Sequence, residues 1–158
     1  MKKFKKETNS GMTLIEILVV VAIAVILTGI ATLSFYNFHS GQSLPNTVDE
    51  VTSLLNEARS RTLSGDSGLQ YGVHIQSTST ILFSGAAYSS TSTTNKIILN
   101  DSMVVIASTT LQGGGTDIIF NKLTGETNQY GTFIIKNSAT AVGQKTITVS
   151  KTGLVSSN

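Results

Sequence analysis

From Met12 to Leu33 the chain reads MTLIEILVVVAIAVILTGIATL, an apolar run interrupted by a single charge, Glu16. As a helix rising ~1.5 Å per residue it extends roughly 33 Å, about the thickness of a bilayer's hydrocarbon core. A buried strand is never that long, and a helix lying on a soluble core would show a polar face that this run lacks. The pattern predicts a membrane-spanning helix over residues 12–38. Phe35, Tyr36 and Phe38 fall at the depth where aromatic residues favour the membrane interface. Gly41 and Pro45 are expected to weaken or bend the helix beyond it.

Helical spacing returns between Asn46 and Leu63. Val48, Val51, Leu55 and Ala58 recur at three- and four-residue intervals, with Asp49, Glu50, Glu57 and Arg59 on other faces, read as solvated charges. Gly65 is the expected C-terminal cap, so residues 39–68 form an amphipathic helical connector. From Leu69 the period becomes two. Leu69, Tyr71, Val73 and Ile75 alternate with Gln70, Gly72, His74 and Gln76, the signature of a half-buried antiparallel strand. Further β-prone runs follow at Thr80–Phe83, Lys96–Leu99, Met103–Ala107, Asp117–Phe120, Thr132–Lys136 and Thr146–Ser150. Gly, Asn, Ser and Thr clusters separate them, which fits hairpins and Greek-key-like loops rather than βαβ units. The expected fold class is α+β: a long N-terminal membrane-spanning helix followed by a β-rich globular head of antiparallel sheets over residues 69–158.

Charge sharpens the picture once it is located. The 158 residues carry a net charge of +2, but Lys2, Lys3, Lys5 and Lys6 against Glu7 supply all of the excess. The remainder has seven basic and eight acidic side chains. The basic excess is therefore an N-terminal leader, residues 1–11, and not a nucleic-acid-binding surface. By the positive-inside rule the leader stays in the cytoplasm and everything after the apolar helix is exported. Hydrophobic residues at 40% and charged residues at 13% argue against a disordered chain.

Catalytic chemistry finds little to work with. The chain has no cysteine, which excludes a disulfide scaffold, a thiolate metal site and a cysteine nucleophile. His39 and His74 are the two histidines, one just past the apolar run and one on the polar face of a strand, both read as solvated. No G-x-S-x-G elbow activates a serine, and Gly113-Gly114-Gly115 lacks a following G-K-[ST], so it reads as a turn. Asp101, Asp117 and Glu126 are scattered, and no calcium-loop pattern includes them. The Ser/Thr tract Ser89–Thr94 reads as a surface loop, and Asn100-Asp101-Ser102 matches a glycosylation sequon by pattern only. No enzyme, cofactor or metal site is expected.

Glu16 is the residue without a plain structural explanation, because a carboxylate at a bilayer midplane costs roughly 2.5–3.5 kcal/mol on insertion scales. Its context resolves this. Gly11 followed by Met12-Thr13-Leu14-Ile15-Glu16, behind a short lysine-rich leader and ahead of an unbroken apolar helix, closely resembles the type IV prepilin signal. An ordinary signal peptide would have a shorter apolar core without a charge and a small-residue cleavage site after it. The only A-x-A here, Ala22-Ile23-Ala24, lies inside the run.

The resemblance implies cleavage between Gly11 and Met12 by a prepilin peptidase, N-methylation of Met12, and an assembly role for Glu16 as the family's fifth-position glutamate. It also implies a single-pass protein of the bacterial cytoplasmic membrane whose head faces outward and which enters a pilus or pseudopilus. The implied partners are other pilin or pseudopilin subunits, a platform protein and an ATPase motor. Met12 and Glu16, four apart, would share one helix face, with the carboxylate near the new amine. The chain departs from the family in having methionine at the first mature position, Leu33 where many major pilins have proline, and no C-terminal disulfide.

Within the family, the helix end Leu54–Arg61 (LLNEARSR) resembles that of H-type minor pseudopilins and related minor pilins. So does the tail, with Ile118-Ile119-Phe120, Gly125, and paired strands ending in Val149-Ser150-Lys151-Thr152-Gly153-Leu154-Val155. A plain reading of Arg59 and Arg61 as solvated charges complementing the helix dipole competes with this. Two alternatives remain for the whole chain. One is a DNA-capturing pilus subunit, which needs clustered cations, whereas Lys96, Lys122, Lys136, Lys145 and Lys151 are dispersed. The other is a membrane-anchored exported domain that never polymerises.

Overall fold

The computed structural model describes residues 12–138 and 143–158, and the side chains of 36–40 lie outside the description. Helix α1 spans Leu14–Ser64. Eight strands follow: β1 (Tyr71–Ile75), β2 (Ser79–Ser84), β3 (Lys96–Leu99), β4 (Val104–Leu111), β5 (Asp117–Ile119), β6 (Gly131–Asn137), β7 (Gln144–Val149) and β8 (Val155–Ser157). The chain divides into two compact units, the first ending at Phe38 and the second comprising His39–Asn158.

In the first unit, Leu14–Phe35 is long and apolar enough to cross a membrane. Its side chains are exposed throughout, from Leu14 to Phe35. None of the unit's described residues buries that surface, so it needs lipid or other protein around it. Thr28 and Thr32 turn their hydroxyls back to the carbonyls of Ala24 (2.7 Å) and Gly29 (2.9 Å). These polar groups are thereby satisfied within the helix, as an apolar environment demands.

The second unit begins with helical turns that pass through both Gly41 and Pro45, and the proline lies inside α1. Leu44 and Val48, on either side of Pro45, are buried. The predicted apolar stripe is fully buried at Val48, Val51, Leu55 and Ala58, and Leu54 joins it. Gly65 closes the helix with φ 67° and donates its N–H to the Thr62 carbonyl (3.3 Å).

The strands form two antiparallel sheets, ordered β3-β2-β1-β5 and β4-β6-β7-β8. One apolar core joins the helix stripe to a face of each sheet, through Val73, Ile75, Leu82 and Ile118 on one side and Ile106, Phe133, Ile135 and Ile147 on the other. The helix end is tied to β1 by Thr62, whose buried hydroxyl donates to the Ala58 carbonyl (2.8 Å) and accepts the Tyr71 N–H (2.9 Å).

Three details depart from the periodicity. Leu69 stands outside β1 and is 43% exposed, because the 3-10 turn Asp66–Gly68 occupies the preceding residues. β4 runs on to Leu111 through Ser108, Thr109 and Thr110, which lack an apolar alternation, with an irregularity in register between Ile106 and Ser108. β8 was not among the predicted runs, being three residues with two serines.

Candidate functional site

The N-terminal candidate residues divide at the edge of the described structure. Gly11 and the leader lie outside the described residues, while Met12 and Glu16 lie within them and are exposed. Met12 and Thr13 precede α1, which starts at Leu14. The Glu16 N–H reaches both the Thr13 hydroxyl (3.4 Å) and the Thr13 carbonyl (3.1 Å), and the Ile17 N–H reaches the same carbonyl (3.2 Å). Thr13 is thus the N-cap and Glu16 the third helical residue, the T-x-x-E spacing of a capping box. Met12 stands one residue outside the cap, so its four-residue separation from Glu16 is not a pairing on one helix face. Sequence reasoning passed over Thr13, although the capping-box spacing was there to be read.

Further along the same helix, Val21, Ala24, Val25, Thr28, Gly29 and Thr32 line a shallow groove of about 340 Å³. Small residues at four-residue intervals lower the ridge there, which lets the backbone of another helix approach closely.

In the second unit, the residues that close the helix do more than face solvent. Arg59 donates from Nε to the Gly125 carbonyl (3.3 Å) and from its guanidinium to the Thr152 carbonyl (3.5 Å). Arg61 pairs with Glu57 (2.8 Å) and Asp66 (3.7 Å) and lies 5.7 Å from the Tyr71 ring centre. Glu57 also takes the Lys96 ammonium of β3 (2.7 Å). That hydrogen bond, ahead of the charges of Lys96 and Arg61, holds the Glu57 carboxyl below the usual glutamate range. The structure therefore brings together Arg59, Gly125 and Thr152 from three distant segments, where a solvated-charge reading had left them apart.

His74 is likewise corrected. Its side chain is 16% exposed, its Nδ1 lies 2.5 Å from Asp117, and its ring stacks on Tyr88 at 3.9 Å and 7°. The solvated reading failed because Tyr88 belongs to the loop between β2 and β3, whose path strand alternation does not reveal. His39 has no described side chain. Among the described residues, no three or more His, Cys, Asp or Glu side chains converge as metal ligands.

The lysines weighed for nucleic acid do not form a stripe. Lys96 is committed to Glu57, and Lys122 donates to the Gly68 carbonyl (2.5 Å). Lys136 pairs across from Gln144 and Lys145 from Ile135, so strand alternation sends them to opposite faces of one sheet.

Comparison with known proteins matches no family model and no curated protein. Two solved structures are similar in fold, both of the type IV minor pilin FimU of Pseudomonas aeruginosa strain PAO1. The crystal form in space group P21 aligns with TM-score 0.56 and 14% identity over 75% of this chain and 90% of that one. The form in space group P65 aligns with TM-score 0.52 and 14% identity over 73% and 92%. An N-terminal apolar helix with two antiparallel sheets is therefore a pilin-like fold.

Proposed function

We propose that this chain is a minor pilin or pseudopilin subunit, cut between Gly11 and Met12 by a prepilin peptidase, N-methylated at Met12, and assembled into a type IV pilus or type II secretion pseudopilus. One observation carries the reading: an entirely exposed apolar helix, opened by the Thr13–Glu16 cap, precedes a head with the fold of a minor pilin. Exposed apolar side chains from Leu14 to Phe35 need lipid before assembly and neighbouring helices afterwards. The groove at Ala24, Thr28 and Gly29 suits the second environment.

In this reading the work is assembly, driven by an ATPase motor and a platform protein, and the chain contributes complementary surfaces. Its N-terminus begins in the cytoplasm of a bacterial cell and its head lies outside the cytoplasmic membrane. Within a filament, a neighbour's mature amine becomes the partner of Glu16. Shearing the cells and comparing filament and membrane fractions tests the proposal. Wild-type subunit in sheared filaments supports it; subunit confined to the membrane, in cells that make filaments, favours an anchored domain that never polymerises.

A further inference from the structure

Leu123 carries two costs that an isolated head does not explain. It is 92% exposed, and its φ of 70° lies in the left-handed region. Among the described residues, Ser67 is the one other non-glycine with a positive φ. Glycine or asparagine suits such a turn position, and a bulky apolar residue there is strained. The turn itself is closed. Phe120 bridges to Thr127, the Asn121 N–H donates to the Glu126 carbonyl (2.8 Å), and the Gly125 N–H donates to the Asn121 carbonyl (2.9 Å). Leu123 is therefore an apolar knob on a preorganised tip.

Three more exposed leucines stand around that turn. Leu63 packs on Gly125, where a Cβ would meet its side chain at 3.0 Å. Leu154 follows Gly153, which abuts the Gly125 carbonyl, and Leu69 follows Gly68, whose carbonyl takes the Lys122 ammonium. Exposed apolar groups gathered in this way mark an interaction surface. Its rim is cationic: Arg59, Arg61, Lys122 and Lys151 outnumber Glu57, Asp66 and Glu126, and Glu57 is shared with Lys96. Among the described residues, no carboxylate pairs with Lys122 or Lys151.

The complement lies on the same chain. Between His39 and Asn56 the only Asp, Glu, Lys or Arg residues are Asp49 and Glu50, both exposed and without an ion-pair partner among the described residues. Gln42, Pro45, Asn46 and Asp49 recur at helical spacing and form one exposed face of α1. Asp49 is fifteen residues from the helix end at Ser64, ~22 Å along the axis, so the knob cannot reach that face within its own head. We propose that the leucine end of one head docks on this helix face of a second copy, with Leu123 against Pro45 and Lys122 beside Asp49. The two copies use different surfaces, so the contact is heterologous and extends instead of closing. It does not rest on the filament reading, because two heads in solution can make it.

The full-length chain in zwitterionic micelles is suited to thiol crosslinking, since it has no cysteine of its own. One variant carries Thr124→Cys beside the knob, another Asn46→Cys on the helix face, and a short bismaleimide joins thiols that meet. The expected result is dimer when the two variants are mixed, little in either alone, and a ladder of multimers when one chain carries both. Leu123→Gly suits the left-handed turn and keeps the head at least as stable, yet lowers the mixed-dimer yield by about tenfold, the scale of one apolar side chain returned to water. Lys122→Glu lowers it as well, and Asp49→Lys in the other chain restores it. Absence of a mixed dimer overturns the proposal. So do like-with-like dimers at the same yield, a yield unchanged by Leu123→Gly, or a failure of Asp49→Lys to rescue Lys122→Glu.

Discussion

The Cβ atom that Gly153 lacks would stand 1.9 Å from the carbonyl oxygen of Gly125. The same atom would lie 2.9 Å from Arg59 Nε, which donates to that carbonyl. Gly153 also has φ 78°, in the left-handed region where a side chain is strained whatever the space. The turn before β8, the loop after β5 and the end of the helix thus meet at one point, and the glycine at 153 permits the approach.

Gly153→Ala is expected to destabilise the head by about 2–4 kcal/mol, combining left-handed strain with displacement of backbone. Gly41→Ala, with nothing within 4 Å of the added methyl, should be neutral or stabilising. Arg59→Met keeps the stem and removes the donor, and should cost about 1–2 kcal/mol. Urea denaturation of the three variants checks the order; equal midpoints for Gly153→Ala and Gly41→Ala would refute the role of the contact.

Glu57 links helix and sheet through Lys96, and its carboxyl is held below the usual range, first by that hydrogen bond. A lowered folded value stabilises above the unfolded glutamate pKa, and the contribution is lost as pH falls through the folded value. Glu57→Gln should therefore cost about 1 kcal/mol at neutral pH, as expected for partly exposed pairs. The difference from wild type should vanish well below the ordinary glutamate value of about 4.3. Melting curves between neutral and acid pH read it, and a difference that grows on acidification contradicts the assignment.

The head should fold without the apolar helix. Among the described residues, every buried hydrophobic residue of the core, from Leu44 to Val149, belongs to the unit His39–Asn158. A chain beginning at His39 is expected to be a soluble monomer with a cooperative melt and a mainly β circular dichroism spectrum with a helical contribution. An aggregate would mean that the core needs the preceding segment or a partner.

Much of this was legible in the sequence. The stripe Val48, Val51, Leu55, Ala58 and the alternation at Tyr71, Val73 and Ile75 are local periodicities, and burial follows them. The His74–Tyr88 stack and the meeting of Arg59, Gly125 and Gly153 depend on how loops return, and no spacing along the chain encodes that. Thr13 stood in plain view, three residues before Glu16.

Thr13 and Glu16 make separable predictions. Thr13→Val removes the side-chain cap of α1 and should lower helix stability by about 1 kcal/mol while leaving a charge at residue 16. Glu16→Ala or Glu16→Val should leave insertion and cleavage intact but impair incorporation into filaments. Removing one partner of a buried charge pair costs roughly 3–5 kcal/mol, because the other is stranded. Fractionation reads both, and a Glu16→Ala subunit that assembles like wild type would leave Glu16 as a helix-cap residue alone.

The intact mass of the protein isolated from its native membrane tests the account most directly. If Gly11 and Met12 flank the processing site, the mature chain begins at Met12, carries one added methyl group on its amine, and has lost Met1–Gly11. Gly11→Leu should leave the uncut precursor in the membrane. A native protein that keeps Lys2–Ser10, or that has lost the whole apolar run with its leader, would contradict the assignment.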